Sequence, residues 1–311
     1  FSDLQVTRGA RLERAPKLLA RVSFEPGSIR VAHTALDADR VPFMAAEFIA
    51  ALLAPRIDQH LRELPDGWAA TAGELRSVRI DSTGKFRAQL SGGEITRGTD
   101  RARVADLAAT IEREQRQLKL RFDPAGPVKI FLPGVEEPRA LRLEGELALH
   151  DTAVHPGLTF MAVKLASGEG TLDANGEWHD GRGPVKPLTL VMSQVDRLLL
   201  DDVWNLLALQ DELPRLADVQ QGHVVAGQLQ LVPEVIDGQR RVDWRRSRGS
   251  LAVANLTSLT GEGPQLAEAA GKLEFARGNT QLRLTAGRIE DLKLSRARID
   301  WPRQGEPRLQ A

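Results

Sequence analysis

From Gly271 onward the apolar residues fall on alternate positions: Leu273 and Phe275, Leu282 and Leu284, Leu292 and Leu294, then Ala297, Ile299 and Trp301. Lys272, Glu274, Gln281, Arg283, Lys293, Arg298 and Asp300 fill the places between them. Successive side chains of a strand point to opposite faces, so this spacing predicts strands with one oily and one wet face. Arg277-Gly278-Asn279 and Ala286-Gly287 are the expected reversals. The same alternation begins at Leu4 and Val6 and recurs at Ala20, Val22 and Phe24, at Phe86, Ala88 and Leu90, at Leu118, Leu120 and Phe122, and at Val128 and Ile130. It continues through Leu141, Leu143, Leu147 and Leu149, then Leu158, Phe160, Val163 and Leu165, then Leu229, Leu231, Leu251 and Val253. Turn residues separate these runs at intervals of about 8–12 residues, which fits antiparallel hairpins better than βαβ units.

Two segments break the rhythm. In the first, about 40–64, Asp39 can cap and Pro42 suits a first helical turn. Met44, Phe48 and Leu52 then share one helical face, and Ile57, Leu61 and Leu64 follow Pro55. The second, about 197–217, carries Leu198, Leu199, Val203, Leu206 and Leu207 before Pro214. The predicted fold is therefore mainly β: an elongated, curved antiparallel sheet forming a groove, with two short helical inserts. Residues 1–311 read as one elongated segment. The stretch from His179 to Pro184 offers the best internal boundary, giving sub-modules 1–180 and 181–311.

Composition removes several function classes. Lys plus Arg and Asp plus Glu are both 42, so no net field draws nucleic acid to the chain. There is no Cys, hence no thiolate nucleophile and no zinc-thiolate site. There is no Tyr, and Trp and Phe are few, so a stacking platform for bases or sugars is poorly supplied. The apolar run from Val41 to Ala54, interrupted by Glu47, is shorter than the about 18 residues needed to span a bilayer. The opening at Phe1 and the strand-like ending read as a piece of a longer protein.

Chemistry-bearing clusters are sparse. His150 and His155 flank Asp151 but lack a helical i, i+4 spacing, and no set of three or four metal ligands is evident. Glu177-Trp178-His179-Asp180 could supply an acid and a base, and Asp201-Asp202 a carboxylate pair; carboxylates at a helix start more often serve as caps. Phosphate-binding, metalloprotease and nucleophile-elbow motifs are missing from the sequence. The expectation is a non-catalytic protein without metal or cofactor.

The run from Leu36-Asp37-Ala38-Asp39 to Trp68, with the step Leu64-Pro65-Asp66-Gly67, resembles a recurring strand and helix-pair element of the AsmA-like superfamily, in its YhdP-like branch. The terse hairpins from Gly271-Lys272-Leu273-Glu274-Phe275 through Leu282-Arg283-Leu284 to Ile299-Asp300-Trp301 resemble the same branch. The resemblance implies a periplasmic protein anchored in the inner membrane of Gram-negative bacteria by a segment outside this one. It implies a groove that conducts phospholipid between the inner and outer membranes, with the acyl chains as partners. On that reading the groove candidates are Leu118, Leu120, Phe122, Val128, Ile130, Leu141, Leu143, Leu147, Leu149, Leu273, Phe275, Leu282 and Leu284. Each CH₂ buried there contributes about 0.8 kcal/mol. The competing expectation is a structural or interaction scaffold in which the same residues fill a closed core.

Overall fold

The computed structural model describes residues 4–8, 11–15, 19–24, 31–42, 68–80, 85–97, 103–114, 117–123, 126–131, 137–150, 157–178, 186–197, 199–200, 219–236, 239–258, 266–301 and 308–310. Its described residues are overwhelmingly in antiparallel strands, as the alternation predicts. Contacts divide the chain into two compact units, 1–159 and 160–311. That division falls upstream of the 179–184 loop offered by the sequence.

In the first unit, β1 (Leu4–Arg8) and β2 (Arg11–Ala15) form a hairpin. A larger sheet follows, made of β3 (Leu19–Phe24), β4 (Val31–Pro42), β5 (Trp68–Ile80), β6 (Phe86–Arg97), β7 (Arg103–Glu114), β8 (Gln117–Phe122), β9 (Val128–Phe131) and β10 (Arg139–His150). Each of β3 to β7 pairs with the next, and β8 and β9 lie end to end between β7 and β10. β4 runs through Pro42, although the sequence expects helix from about residue 40. Pairing explains the difference: Arg40, Val41 and Pro42 lie opposite Arg76, Leu75 and Glu74. The rest of the first expected insert, residues 43–64, lies outside the described residues.

The second unit holds most of β11 (Gly157–Ser167), then β12 (Gly170–Trp178), β13 (Leu188–Asp196), β14 (Val219–Leu231), β15 (Pro233–Ile236), β16 (Gln239–Val242), β17 (Arg248–Ser258), β18 (Leu266–Ala276), β19 (Asn279–Ile289), β20 (Leu292–Leu294), β21 (Arg298–Trp301) and β22 (Arg308–Gln310). Its sheet runs β12, β13, β14, β17, β18, β19, then β20 and β21 side by side along β19, then β22. β15 and β16 leave this sheet as a separate two-stranded ribbon between β14 and β17. Of the second expected insert, about 197–217, only Arg197, Leu199 and Leu200 are described. Asp196 accepts the backbone N–H of Leu199 at 2.7 Å, a helix N-cap, and Arg197, Leu199 and Leu200 are helical. Residues 201–218 lie outside the described residues.

Of the two reversals expected in the last hairpins, one is a turn and the other is strand. Arg277 and Gly278 both have positive φ, 55° and 79°, and connect Ala276 directly to Asn279. That is the two-residue primed turn whose twist matches flanking strands. Ala286 and Gly287 instead continue β19, opposite Ala270 and Leu294, and the chain reverses later at Glu290-Asp291.

One irregularity recurs in both units. Along many strands the apolar residues step by two, then once by three, and the residue before the next apolar position has positive φ. Examples are Leu75-Arg76-Ser77-Val78, Leu90-Ser91-Gly92-Gly93, Val104-Ala105-Asp106-Leu107, Phe160-Met161-Ala162-Val163, Met192-Ser193-Gln194-Val195, Val253-Ala254-Asn255-Leu256 and Leu266-Ala267-Glu268-Ala269. Ser77, Gly92, Asp106, Asn255 and Glu268 lie at breaks in pairing register, so these steps are β-bulges. A bulge puts two residues opposite one, bends the strand and increases its twist. The step of three restores the oily phase that the bulge would otherwise flip to the wet face.

An L-residue with positive φ carries a steric cost of about 1–2 kcal/mol that glycine avoids. Glycine also loses more backbone freedom on folding, worth about 0.5–1 kcal/mol. Ala162→Gly (φ 49° in the wild type) is therefore expected to raise stability by about 0.5–1 kcal/mol. Ala162→Val should lower it, since a branched Cβ is worst placed there. The urea midpoints of the two variants check the pair.

Candidate functional site

The apolar face of β7 to β10 is assembled from cross-strand rows. Ile111 lies opposite Leu120, and Leu120 opposite Leu147. Ala109 lies opposite Phe122, and Phe122 opposite Gly145. Leu118 lies opposite Arg113 on one side and Leu149 on the other. Toward the other end, Val104 pairs with Ile130 and Leu141 with Val128. The face is thus continuous, but its exposure is not. Val128, Ile130 and Leu141 are only 4%, 2% and 1% exposed, whereas Leu118, Leu120, Phe122, Leu143 and Leu147 are half-buried. The side chain of Leu149 lies outside the described residues.

The second unit repeats the contrast. Leu282 and Leu284 are each 2% exposed, while Leu273 and Phe275 are half-buried. Leu273 lies between Leu251 and Leu282 in register. Phe275 faces Gly249, and Trp244 meets its ring edge-on at 5.5 Å. A Cβ on Gly249 would come within 2.5 Å of both the Phe275 ring and Leu229. The missing side chain is therefore the space the aromatic ring and Leu229 occupy. Leu251 fills the same kind of gap over Gly227.

The wet face is a lattice of charge. In the first unit Arg87 pairs with Glu112 at 3.1 Å, Arg121 with Glu146 at 3.2 Å, and Lys129 with Asp106 at 2.9 Å. Arg103 stacks over Phe131 at 3.7 Å and reaches Glu94 at 3.5 Å. In the second unit Lys272, Arg283 and Arg298 form one cross-strand row, and Glu274, Gln281 and Asp300 the next. Like charges directly opposite destabilise a sheet, and the adjacent acidic row offsets them. Lys272 reaches Glu274 at 2.6 Å, Arg298 reaches Asp300 at 2.8 Å, and Gln281 donates to Asp300 at 2.9 Å. The Lys272 ammonium lowers the Glu274 pKa, and the Arg298 guanidinium lowers that of Asp300. These pairs are solvent-exposed and keep the face hydrated rather than supplying a reactive group.

Of the acid–base candidates, only Glu177 and its neighbour Trp178 lie among the described residues. Glu177 accepts the backbone N–H of Lys186 at 3.5 Å across the base of the β12–β13 hairpin, and Trp178 is buried in the core. His179, Asp180, Asp201 and Asp202 lie outside the described residues, as do His60 and His155. Among the described residues no three His, Asp or Glu side chains converge as a metal site would require.

One feature the sequence reading passed over is the arginine-rich corner from Arg240 to Arg248. Its signal was the density of basic residues itself: five arginines and one acid within residues 239–248 of a chain with no net charge. Comparison with known proteins returns no matching family model, curated protein or solved structure.

Proposed function

We propose that this chain is a non-catalytic lipid-binding segment, of the kind the AsmA-like resemblance implies, whose apolar sheet face holds phospholipid acyl chains. The observation that carries the reading is the half-buried cluster of Leu118, Leu120, Phe122, Leu143 and Leu147 on one continuous face. Acyl chains need area, not a shaped polar pocket, and adjacent aliphatic rows supply it at about 25 cal/mol per Å². Arg113, opposite Leu118 in register, puts a cation at the end of β7 beside this face. The protein would act in the periplasm, with its membrane anchor in a segment beyond this one.

The second reading, a closed-core scaffold, draws on a different observation. Val128, Ile130, Leu141, Leu282 and Leu284 are covered, and Gly227 and Gly249 are filled by neighbouring side chains. A face packed in this way along its whole length would leave no room for a ligand.

Photo-crosslinking combined with mass spectrometry of lipids carried by the purified protein tests the proposal. Phospholipid should co-purify, and a photoreactive residue at Leu120 or Leu143 should label it while one at Leu141 labels it weakly. Absence of bound phospholipid together with absence of labelling from Leu120 and Leu143 would overturn the lipid reading.

A further inference from the structure

The corner joining β16 to β17 is built to hold arginines outward. Asp243 organises it. The Asp243 carboxylate accepts the N–H groups of Arg245 at 3.0 Å and Arg246 at 3.3 Å, and its carbonyl accepts the N–H of Ser247 at 2.9 Å. The corner is stapled to the sheet from below. The Asp243 N–H donates to the Val232 carbonyl at 2.8 Å, and the Val232 N–H donates to the hydroxyl of Ser247, which is 1% exposed. Trp244 turns inward against Phe275.

What this leaves outside is charge. Arg241, Arg245, Arg246 and Arg248 are exposed, and Arg246 keeps 62% of its side chain in solvent. Arg240 belongs to the same ribbon by position. Arg277, also exposed, occupies the next turn at this end of the sheet, because Arg248 pairs with Ala276. Asp243 offsets part of this charge, its carboxylate 3.9 Å from the Arg246 guanidinium, and Glu234 lies opposite Arg241 in register, leaving arginines in excess at this corner.

From this arrangement we infer that the β16–β17 corner docks on the phosphate-rich surface of an anionic phospholipid bilayer. The argument is one of display and charge. Guanidinium groups pair bidentately with phosphate. These arginines stand on one turn and its flanking strand ends, close together in the chain. Basic residues near an anionic leaflet are each attracted over about a Debye length, close to 10 Å at 0.1 M salt. The inference is independent of whether the apolar face takes acyl chains, because it concerns headgroups at the end of the second unit.

Co-sedimentation of the whole chain with vesicles tests it. Vesicles of phosphatidylcholine containing about one-third phosphatidylglycerol should carry the protein down, and pure phosphatidylcholine vesicles should not. Arg245→Gln/Arg246→Gln should weaken binding by about tenfold or more, because two surface charges are lost. Arg245→Lys/Arg246→Lys should retain most of it, and Arg76→Gln/Arg87→Gln, on the wet face of the first unit, should leave it unchanged. Equal thermal midpoints for all three variants would show that the turn, held by Asp243 and backbone groups, is intact. Wild-type protein that ignores anionic vesicles, or a glutamine variant that binds them as the wild type does, would overturn the inference. So would tight binding of a single-stranded oligonucleotide that anionic vesicles fail to displace.

Discussion

Gly271→Ala is expected to destabilise the second unit by about 2–3 kcal/mol, while Gly287→Ala, the same change in the neighbouring strand, should be neutral or slightly stabilising. The two glycines look alike in the sequence, each amid alternating apolar residues of the last hairpins. Their surroundings differ in what a methyl group would meet. A Cβ on Gly271 would strike the carbonyl oxygen of Arg283, with the Leu284 Cα at 3.0 Å. Those are backbone atoms of β19 and cannot rotate away as a side chain can, so β18 and β19 would have to part at the register break between Ala270 and Gly271. A Cβ on Gly287 would meet only Ala269 at 3.4 Å and Leu266 at 3.6 Å, ordinary van der Waals distances. Losing glycine's unfolded-state entropy there favours the fold by about 0.4–1 kcal/mol. Urea unfolding of both variants reads the contrast. Equal midpoints would mean that β18 and β19 are not held together as closely as this pairing requires.

The same comparison marks what the sequence discloses. Alternation locates the strands because a half-buried sheet imposes a period of two on hydrophobicity. It also contained the bulges, in a form that reads as noise until φ is known. The step from Phe160 to Val163 and the step from Met192 to Val195 each skip one residue more than a flat strand would. Ala162 and Gln194, which adopt positive φ in those gaps, are not residues that advertise it. Arg277-Gly278 was legible because Gly accepts the conformation that a primed turn needs. Ala286-Gly287 misled for the same reason: the glycine there serves pairing with β20 rather than reversal. Pro42 misled because propensity at a helix start is weaker than the pairing that β5 offers to β4.

The candidate site was legible only as a face. Periodicity assigns Leu141 and Leu143 to the same side of β10 and has no term for what lies over either of them. The structure separates them, one covered and one half-open. The arginine corner was legible as composition, but the use of Asp243 as the organiser of the turn depends on hydrogen bonds that no local pattern reveals.

That separation makes the covered and half-open rows answer to different measurements. Leu141→Ala removes a side chain 1% exposed and packed opposite Val128, and should cost about 2–5 kcal/mol, the lost transfer free energy plus the residual cavity. Leu120→Gln and Leu143→Gln remove half-buried side chains and should cost about 1 kcal/mol each, since roughly half of a leucine's burial free energy is at stake. Lipid binding should move the other way. A face that takes acyl chains through its open row loses bound phospholipid in Leu120→Gln and Leu143→Gln. It keeps phospholipid in Leu141→Ala, measured at a temperature where that variant is folded. Urea unfolding with an unchanged m-value establishes the stability order, and lipid mass spectrometry on the same preparations establishes the binding order. If Leu120→Gln costs as much stability as Leu141→Ala, the open row is core as well and the scaffold reading gains the face. If Leu141→Ala sheds lipid while remaining as stable as the wild type, the acyl chains lie deeper than the half-buried row. The covered leucines are then uncovered when lipid enters.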